Sequence, residues 1–165
     1  MDAMPEPIAP RLSLRAAEQH DMPFLLALWR QAMSPHFVAA GVPLADEKPM
    51  DRLLMRFECA TIVSCAGRDI GLLKVARDGC DWRLLQILLS PDAQKKGVGG
   101  RLIRGVIAEA RACGASLRLS VLKHNPARAL YHRLGFQIVD EEPYAFTLRL
   151  RSEERRVGKE CRSRW

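Results

Sequence analysis

The stretch Gln94-Lys95-Lys96-Gly97-Val98-Gly99-Gly100 stands directly ahead of the apolar periodic run VGGRLIRGVIAEARAC. The first turn of a helix carries four backbone N–H groups without intrahelical partners, and the macrodipole adds about half a positive charge there. Glycines at 97, 99 and 100 allow close backbone approach or a positive φ, while Lys95 and Lys96 add mobile charge. The chemistry these residue types suit is the seating of an anion, a phosphate above all. Taken alone, the same seven residues also read as a glycine-rich turn with solvated lysines. Two better-known phosphate loops do not fit. The GxxxxGKS/T pattern is absent, and a dinucleotide GxGxxG needs an acidic residue about 20 positions on, where Ser116–Lys123 has none.

The elements around this loop follow from periodicity. LSLRAA (12–17) places Leu12, Leu14 and Ala16 on one face of a strand, and Asp21 is an N-cap candidate for a helix whose apolar stripe is Phe24, Leu25, Leu28, Trp29 and Ala32. A loop with Pro35, Gly41 and Pro43 follows, then a second helical stripe at Met50, Leu53, Leu54 and Phe57. TIVSCAGRDIGLLKVARDG reads as a hairpin turning at Gly67-Arg68-Asp69, and WRLLQILLS is apolar enough for a strand buried on both faces. The helix from about Val98 turns Val98, Leu102, Ile103, Val106, Ile107 and Ala110 inward, with Gly114 where a left-handed residue ends it. SLRLSVLK alternates Leu117, Leu119 and Val121. NPARALYHRLGF reads as a short helix capped by Asn125, opened by Pro126 and stopped by Gly135, before strands QIVD and YAFTLRL, the latter alternating Tyr144, Phe146, Leu148 and Leu150. The order β-αα-βββ-α-β-α-ββ implies a mixed central α/β sheet with helices on both faces.

A chain of 165 residues, 48% hydrophobic and 27% charged, suits one globular domain, expected over residues 1–150. The segment 151–165, RSEERRVGKECRSRW, has one aliphatic residue and no period. It resembles the translation of a sequencing-adapter oligonucleotide and is expected to be a disordered tail that is an artefact. Its six basic and three acidic residues carry much of the formal charge of +7, leaving +4 on the rest. The N-terminus lacks a signal-peptide pattern and no run of about 18 apolar residues occurs, so the expected location is cytoplasmic, with no membrane partner. The cysteines at 59, 65, 80, 113 and 161 form no CxxC or zinc-ligand spacing, so no metal is expected and buried reduced thiols are.

Two motifs in order, ILLSPDAQKKGVGGRLI and then NPARALYHRLGF, with the strand between them, resemble the GCN5-related N-acetyltransferase (GNAT) superfamily over roughly residues 12–150. The family signature Q/R-x-x-G-x-G/A falls on Gln94, Gly97 and Gly99. The resemblance implies acetyl-CoA as co-substrate, with its pyrophosphate on Lys95, Lys96, Gly97, Val98, Gly99 and Gly100 and its pantetheine arm paired to the strand at Ile87, Leu88 and Leu89. It also implies a cofactor contact at Asn125, alongside the cap role read from its position, and a general-acid role for Tyr131 toward the departing thiolate. A phenol with pKa near 10 can donate to a thiolate as charge develops on sulfur, although a tyrosine covering a helix seam would look the same in sequence.

The activity so implied is N-acetyltransfer from acetyl-CoA to a primary amine, by a monomer or homodimer. Two other readings stand beside it. One is a non-catalytic acyl-CoA-binding module, against which Tyr131 and the intact loop argue. The other is a nucleic-acid binder, weakened by the smaller charge without the tail and by the lack of a recognition motif, so no nucleic-acid partner is expected. A protonated amine must lose a proton before attack, yet the sequence names no base. Ser120 and Gln86 cannot serve directly, and His36 and Glu58 are the remaining ionisable residues near the acceptor side. The segment 33–50, with Met33, His36, Phe37 and Val42, is expected to line the acceptor site.

Overall fold

The computed structural model describes residues 11–151; the expected tail beyond Arg151 lies outside them. Seven strands form one sheet in the order β1-β2-β3-β4-β5-β7-β6. They are β1 (Leu12–Ala16), β2 (Ala60–Cys65), β3 (Arg68–Asp78), β4 (Asp81–Leu89), β5 (Ser116–Leu122), β6 (Phe136–Glu141) and β7 (Ala145–Leu150). Neighbours run antiparallel except β4 and β5, which are parallel. The β2–β3 turn is tighter than expected. Ala66 and Gly67, at φ 52° and 78°, make a two-residue turn of the doubly left-handed kind that matches strand twist.

The expected alternation of strands and helices holds, with one difference. Between β1 and β2 stand four helices rather than two: α1 (Met22–Ala32), α2 (Ser34–Ala39), α3 (Leu44–Glu47) and α4 (Pro49–Leu54). Pro35 and Pro49 sit in the first turns of α2 and α4, where a missing N–H costs nothing, and Pro43 stands just before α3, so the two prolines that suggested a loop, Pro35 and Pro43, stand at helix starts instead. In α4 only Leu53 is buried, while Met50 and Leu54 face outward. Two further α-helices, α5 (Val98–Ala112) and α6 (Ala127–Arg133), follow among the described residues.

The sheet separates two apolar clusters. On one face α1 packs Leu25, Leu28, Trp29 and Ala32 with Phe37, Leu53, Ile62, Leu72 and Leu88. On the other, α5 buries all six residues of its expected stripe against Val75, Leu84, Leu117 and Leu119. Helix α5 ends where expected. Gly114 is left-handed at φ 68°, and Ala115 N–H reaches Ala110 O at 2.8 Å while Gly114 N–H reaches Arg111 O at 3.1 Å.

Asp21 does not cap α1 with its side chain. Its carboxylate accepts Arg15 Nη1 and Nη2 at 2.9 and 2.8 Å and Glu18 N–H at 2.8 Å, so it ties the helix entry to β1. The Arg15 guanidinium holds the Asp21 carboxyl down at about 2, below its ordinary 3.8. Stability from this contact is therefore complete above the unfolded value and is lost as pH falls through about 2. Asp21→Asn is expected to cost about 1–3 kcal/mol at neutral pH, with the gap between mutant and wild type closing toward pH 2. Urea unfolding across that range checks it, and a gap that persists unchanged at pH 2 would remove the ionic explanation.

Cys59 and Cys65 are half-buried free thiols, Cys65 packing against the α5-side cluster, and Cys113 is exposed rather than buried. Among the described residues no helix is long and apolar enough to cross a membrane.

Candidate active site

Strand β4 leaves β5 partway along. The two pair from Asp81↔Ser116 to Leu84↔Leu119 and no further, although β4 continues to Leu89 and β5 to Leu122. The departure coincides with a bulge. On the β3 side the register passes from Lys74↔Gln86 to Val75↔Leu84, leaving Leu85 as the extra residue, and a bulge bends and twists its strand. The freed edge of β4 therefore carries backbone N–H and C=O groups with no strand partner on the β5 side, which an amide-containing ligand can satisfy. Close to it, Gly71 of β3 is packed so tightly that a Cβ there would lie 2.4 Å from Leu88 O.

The gap between the strands is a cavity of about 400 Å³. Its walls are Leu84–Leu88 of β4, Leu119–Leu122 of β5, Asn125, and Tyr131 of α6. The remaining lining is Trp29, Met33, Phe37, Val42, Asp46 and Arg52, with Glu142–Tyr144 between β6 and β7 and Ala145 at the start of β7.

Each residue picked out in the sequence has a definite place. Ile87, Leu88, Asn125 and Tyr131 line this cavity, although the side chain of Leu88 belongs to the α1 cluster. Leu89 ends β4, and its carbonyl accepts Gln94 Nε2 at 3.0 Å, so the Gln94 side chain braces the loop. Lys95 and Lys96 are exposed. Lys95 has φ 61° and Gly97 φ 78°, two left-handed residues separated by one position in the turn before α5. A left-handed lysine is strained by about 1–2 kcal/mol, and such turns gather N–H groups into anion-binding concavities. Val98 is buried in the core, leaving only its backbone available. At Gly99 a Cβ would meet only Leu89 Cδ1, at 3.6 Å. At Gly100 it would meet Arg104 Nη1 at 3.3 Å and Leu130 Cδ1 at 3.7 Å. Asn125 does cap α6, its Oδ1 accepting Ala127 N–H at 2.9 Å.

Tyr131 is 6% exposed and packs edge-on against Phe136, with ring centroids 5.8 Å apart. Burial pushes its phenol up to about 12. It packs on Phe136 and lines the cavity at once.

On the acceptor side Met33, Phe37 and Val42 line the cavity as expected, but His36 does not, and Glu58 is held by Arg56 at 2.8 Å away from it. The carboxylates on the wall are Asp46 and Glu142. Neither was marked by a motif; Glu142 lies in a turn whose approach to the cavity depends on the β5-β7-β6 order. Gln86 also lines the wall, with a buried Oε1 that has no hydrogen-bond partner. Lys74 was missed as well. Fully buried in β3, its Nζ donates to Arg52 O, Leu53 O and Met55 O at 3.1, 2.8 and 2.8 Å, tying down the C-terminal end of α4. A lysine inside the apolar run GLLKVA was the available signal. Among the described residues no group of three or more His, Cys, Asp or Glu side chains is placed to hold a metal.

Residues 57–138 match the family model described as Acetyltransferase (GNAT) domain. No curated protein matches the chain. Among solved structures, the PaiA N-acetyltransferase of Thermoplasma acidophilum in complex with coenzyme A superposes with a TM-score of 0.68 at 16% identity, over 86% of this chain and 99% of that one. An acetyltransferase of Thermus thermophilus gives 0.66 at 23% identity, over 84% and 95%. N-acetylglutamate synthase of Neisseria gonorrhoeae, complexed with coenzyme A and L-arginine, gives 0.58 at 24% identity over 85% of this chain, which spans 33% of that protein.

Proposed function

Because the chain belongs to the GNAT acetyltransferase family, we propose that it is an acetyl-CoA-dependent N-acetyltransferase acting on a primary amine held between β4 and β5. The observation that carries this reading is the parting of β4 from β5 beyond Leu84 and Leu119, with a glycine-rich loop between the free end of β4 and α5 and a buried tyrosine on the cavity wall. Backbone N–H groups of Lys95–Gly100 hold the pyrophosphate, and the exposed Lys95 and Lys96 add charge. The free edge of β4 at Ile87–Leu89 takes the pantetheine amides, and Asn125, its Oδ1 committed to Ala127, offers its Nδ2 to the same arm.

The reaction forms a C–N bond and breaks a C–S bond; the nitrogen loses a proton and the sulfur gains one. Tyr131 stays protonated at every physiological pH, because its phenol stands at about 12. Tyr131 hydrogen-bonds the developing thiolate and donates its proton to the sulfur, and the phenol oxygen regains a proton as the nitrogen loses one. Asp46 and Glu142 attract the cationic form of the amine toward the gap.

Gly99→Val tests the loop. Only the Leu89 side chain borders a new Cβ, so the fold is expected to survive, while the added bulk keeps the pyrophosphate off the amides. Calorimetry is expected to show acetyl-CoA binding weakened by at least about tenfold, or about 1.4 kcal/mol. Unchanged affinity in folded mutant protein would return the loop to a structural turn.

A further inference from the structure

We propose that the acceptor amine also carries a carboxylate and that Arg52 binds it; the proposal rests on the transferase reading and names the acceptor class. Arg52 lines the same cavity as Tyr131. Its guanidinium carbon lies 4.9 Å from the centroid of the Phe37 ring, which is itself 5.6 Å from the ring of Trp29. Both rings are buried, so the stack has a fixed base. Arg52 Nε donates to Glu47 O at 2.8 Å, and its own carbonyl accepts Lys74 Nζ at 3.1 Å. The ring face, the Nε edge and the backbone of Arg52 are thus all held, and among the described residues nothing accepts from its two Nη groups.

That arrangement contrasts with the arginines that serve the fold. Arg15 places both Nη groups on Asp21, and Arg56 places both on Asp78. Arg52 makes no such pair, even with Asp46 on the same wall. A stacked guanidinium whose Nη edge is uncommitted is pre-organised for a bidentate carboxylate. Asp46 and Glu142 meanwhile suit an ammonium group, so the cavity presents both signs of charge between the apolar walls of Trp29, Met33 and Val42. A zwitterionic amino acid with an uncharged side chain matches all three features, whereas a polyamine would leave Arg52 facing a like charge.

The test compares the common L-amino acids with the amines formed by removing the α-carboxylate of each, assayed for CoA thiol release with acetyl-CoA and the full chain. At least one amino acid is expected to exceed its matched amine by about tenfold or more in kcat/KM. Arg52→Gln should erase that preference by raising KM for the amino acid at nearly constant kcat, while kcat/KM for the matched amine stays within about twofold. Arg52→Lys, which keeps the charge but loses the fork, should fall between. The matched amine also reports that each variant is folded. Equal or better turnover of the decarboxylated amines, or an equal loss on both members of a pair in Arg52→Gln, would overturn the carboxylate role and leave the transferase reading intact. Thiol release with none of these compounds would overturn the carboxylate role alone, because the transferase reading falls only if no amine of any class is acetylated.

Discussion

Tyr131→Phe is expected to lower kcat by about 10² or more, with KM for acetyl-CoA nearly constant. The substitution removes one hydroxyl and keeps the ring, whose edge-on contact with Phe136 at 5.8 Å needs no oxygen. Stability and cofactor affinity should therefore change little, and the loss should fall on the chemical step. Because burial holds the phenol at about 12, Tyr131 contributes no alkaline decline in kcat between pH 7 and about 10. Single-turnover measurements separate chemistry from product release. Comparable single-turnover rates for mutant and wild type would remove Tyr131 from the reaction and leave it a packing residue.

Lys74→Met should produce the largest loss of stability, about 2–4 kcal/mol out of the 5–15 kcal/mol typical of a domain. Methionine fills the volume of the lysine stem but strands the carbonyls of Arg52, Leu53 and Met55 at the end of α4. Each buried acceptor left unpaired costs about 1–3 kcal/mol, partly offset because no charge is then buried. Burial pushes the Lys74 ammonium down to about 8 from 10.5, so between those values the native chain binds fewer protons than the unfolded chain. Wild-type stability should accordingly gain from this group as pH rises from about 8 to 10.5, and that gain should vanish in Lys74→Met. Urea unfolding at both ends of the window checks both statements. A mutant within about 0.5 kcal/mol of wild type would mean that α4 holds its place without the lysine. Since α4 carries Arg52, the mutant should also lose discrimination between amino acids and their decarboxylated amines.

The periodic parts of this fold were legible in the sequence because a single physical cause sets them. The six inward residues of α5 and the alternation Leu117, Leu119, Val121 follow from burying one face, and all are buried. Gly114 was legible as a left-handed position because a side chain is disfavoured there, and of the three loop glycines read as allowing close approach or a positive φ, Gly97 takes the positive φ. Lys95 was not, since nothing in a lysine announces a φ of 61°; the strain is set by the turn around it. The bulge at Leu85 was equally hidden, for WRLLQILLS is apolar whether the strand runs straight or splays. Helices α2 and α3 are too short for a period to show, and the prolines that start two of the helices in this region resemble loop signals.

The side of the cavity expected to take the acceptor was the least legible. Asp46 and Arg52, from α3 and α4, line the same cavity as Glu142, from the β6–β7 turn, although the two segments are far apart in sequence. His36 and Glu58, picked from the same region for their titratable groups, are turned elsewhere. Likewise Asp21 stands where a cap residue should, but a guanidinium six residues upstream outcompetes the helix N–H groups for its oxygens.

On the reading proposed above, the gap between β4 and β5 is a site of acetyl transfer and not merely of acyl-CoA binding. That claim is tested most directly by incubating the purified chain with acetyl-CoA and an amine panel, measuring released thiol and acetylated amine in the same samples. The expected result is one acetylated amine for each thiol released, saturable in both substrates and reduced by about 10² in Tyr131→Phe. Acetyl-CoA that binds the chain tightly, yet releases thiol no faster with any amine than without one, would contradict the claim.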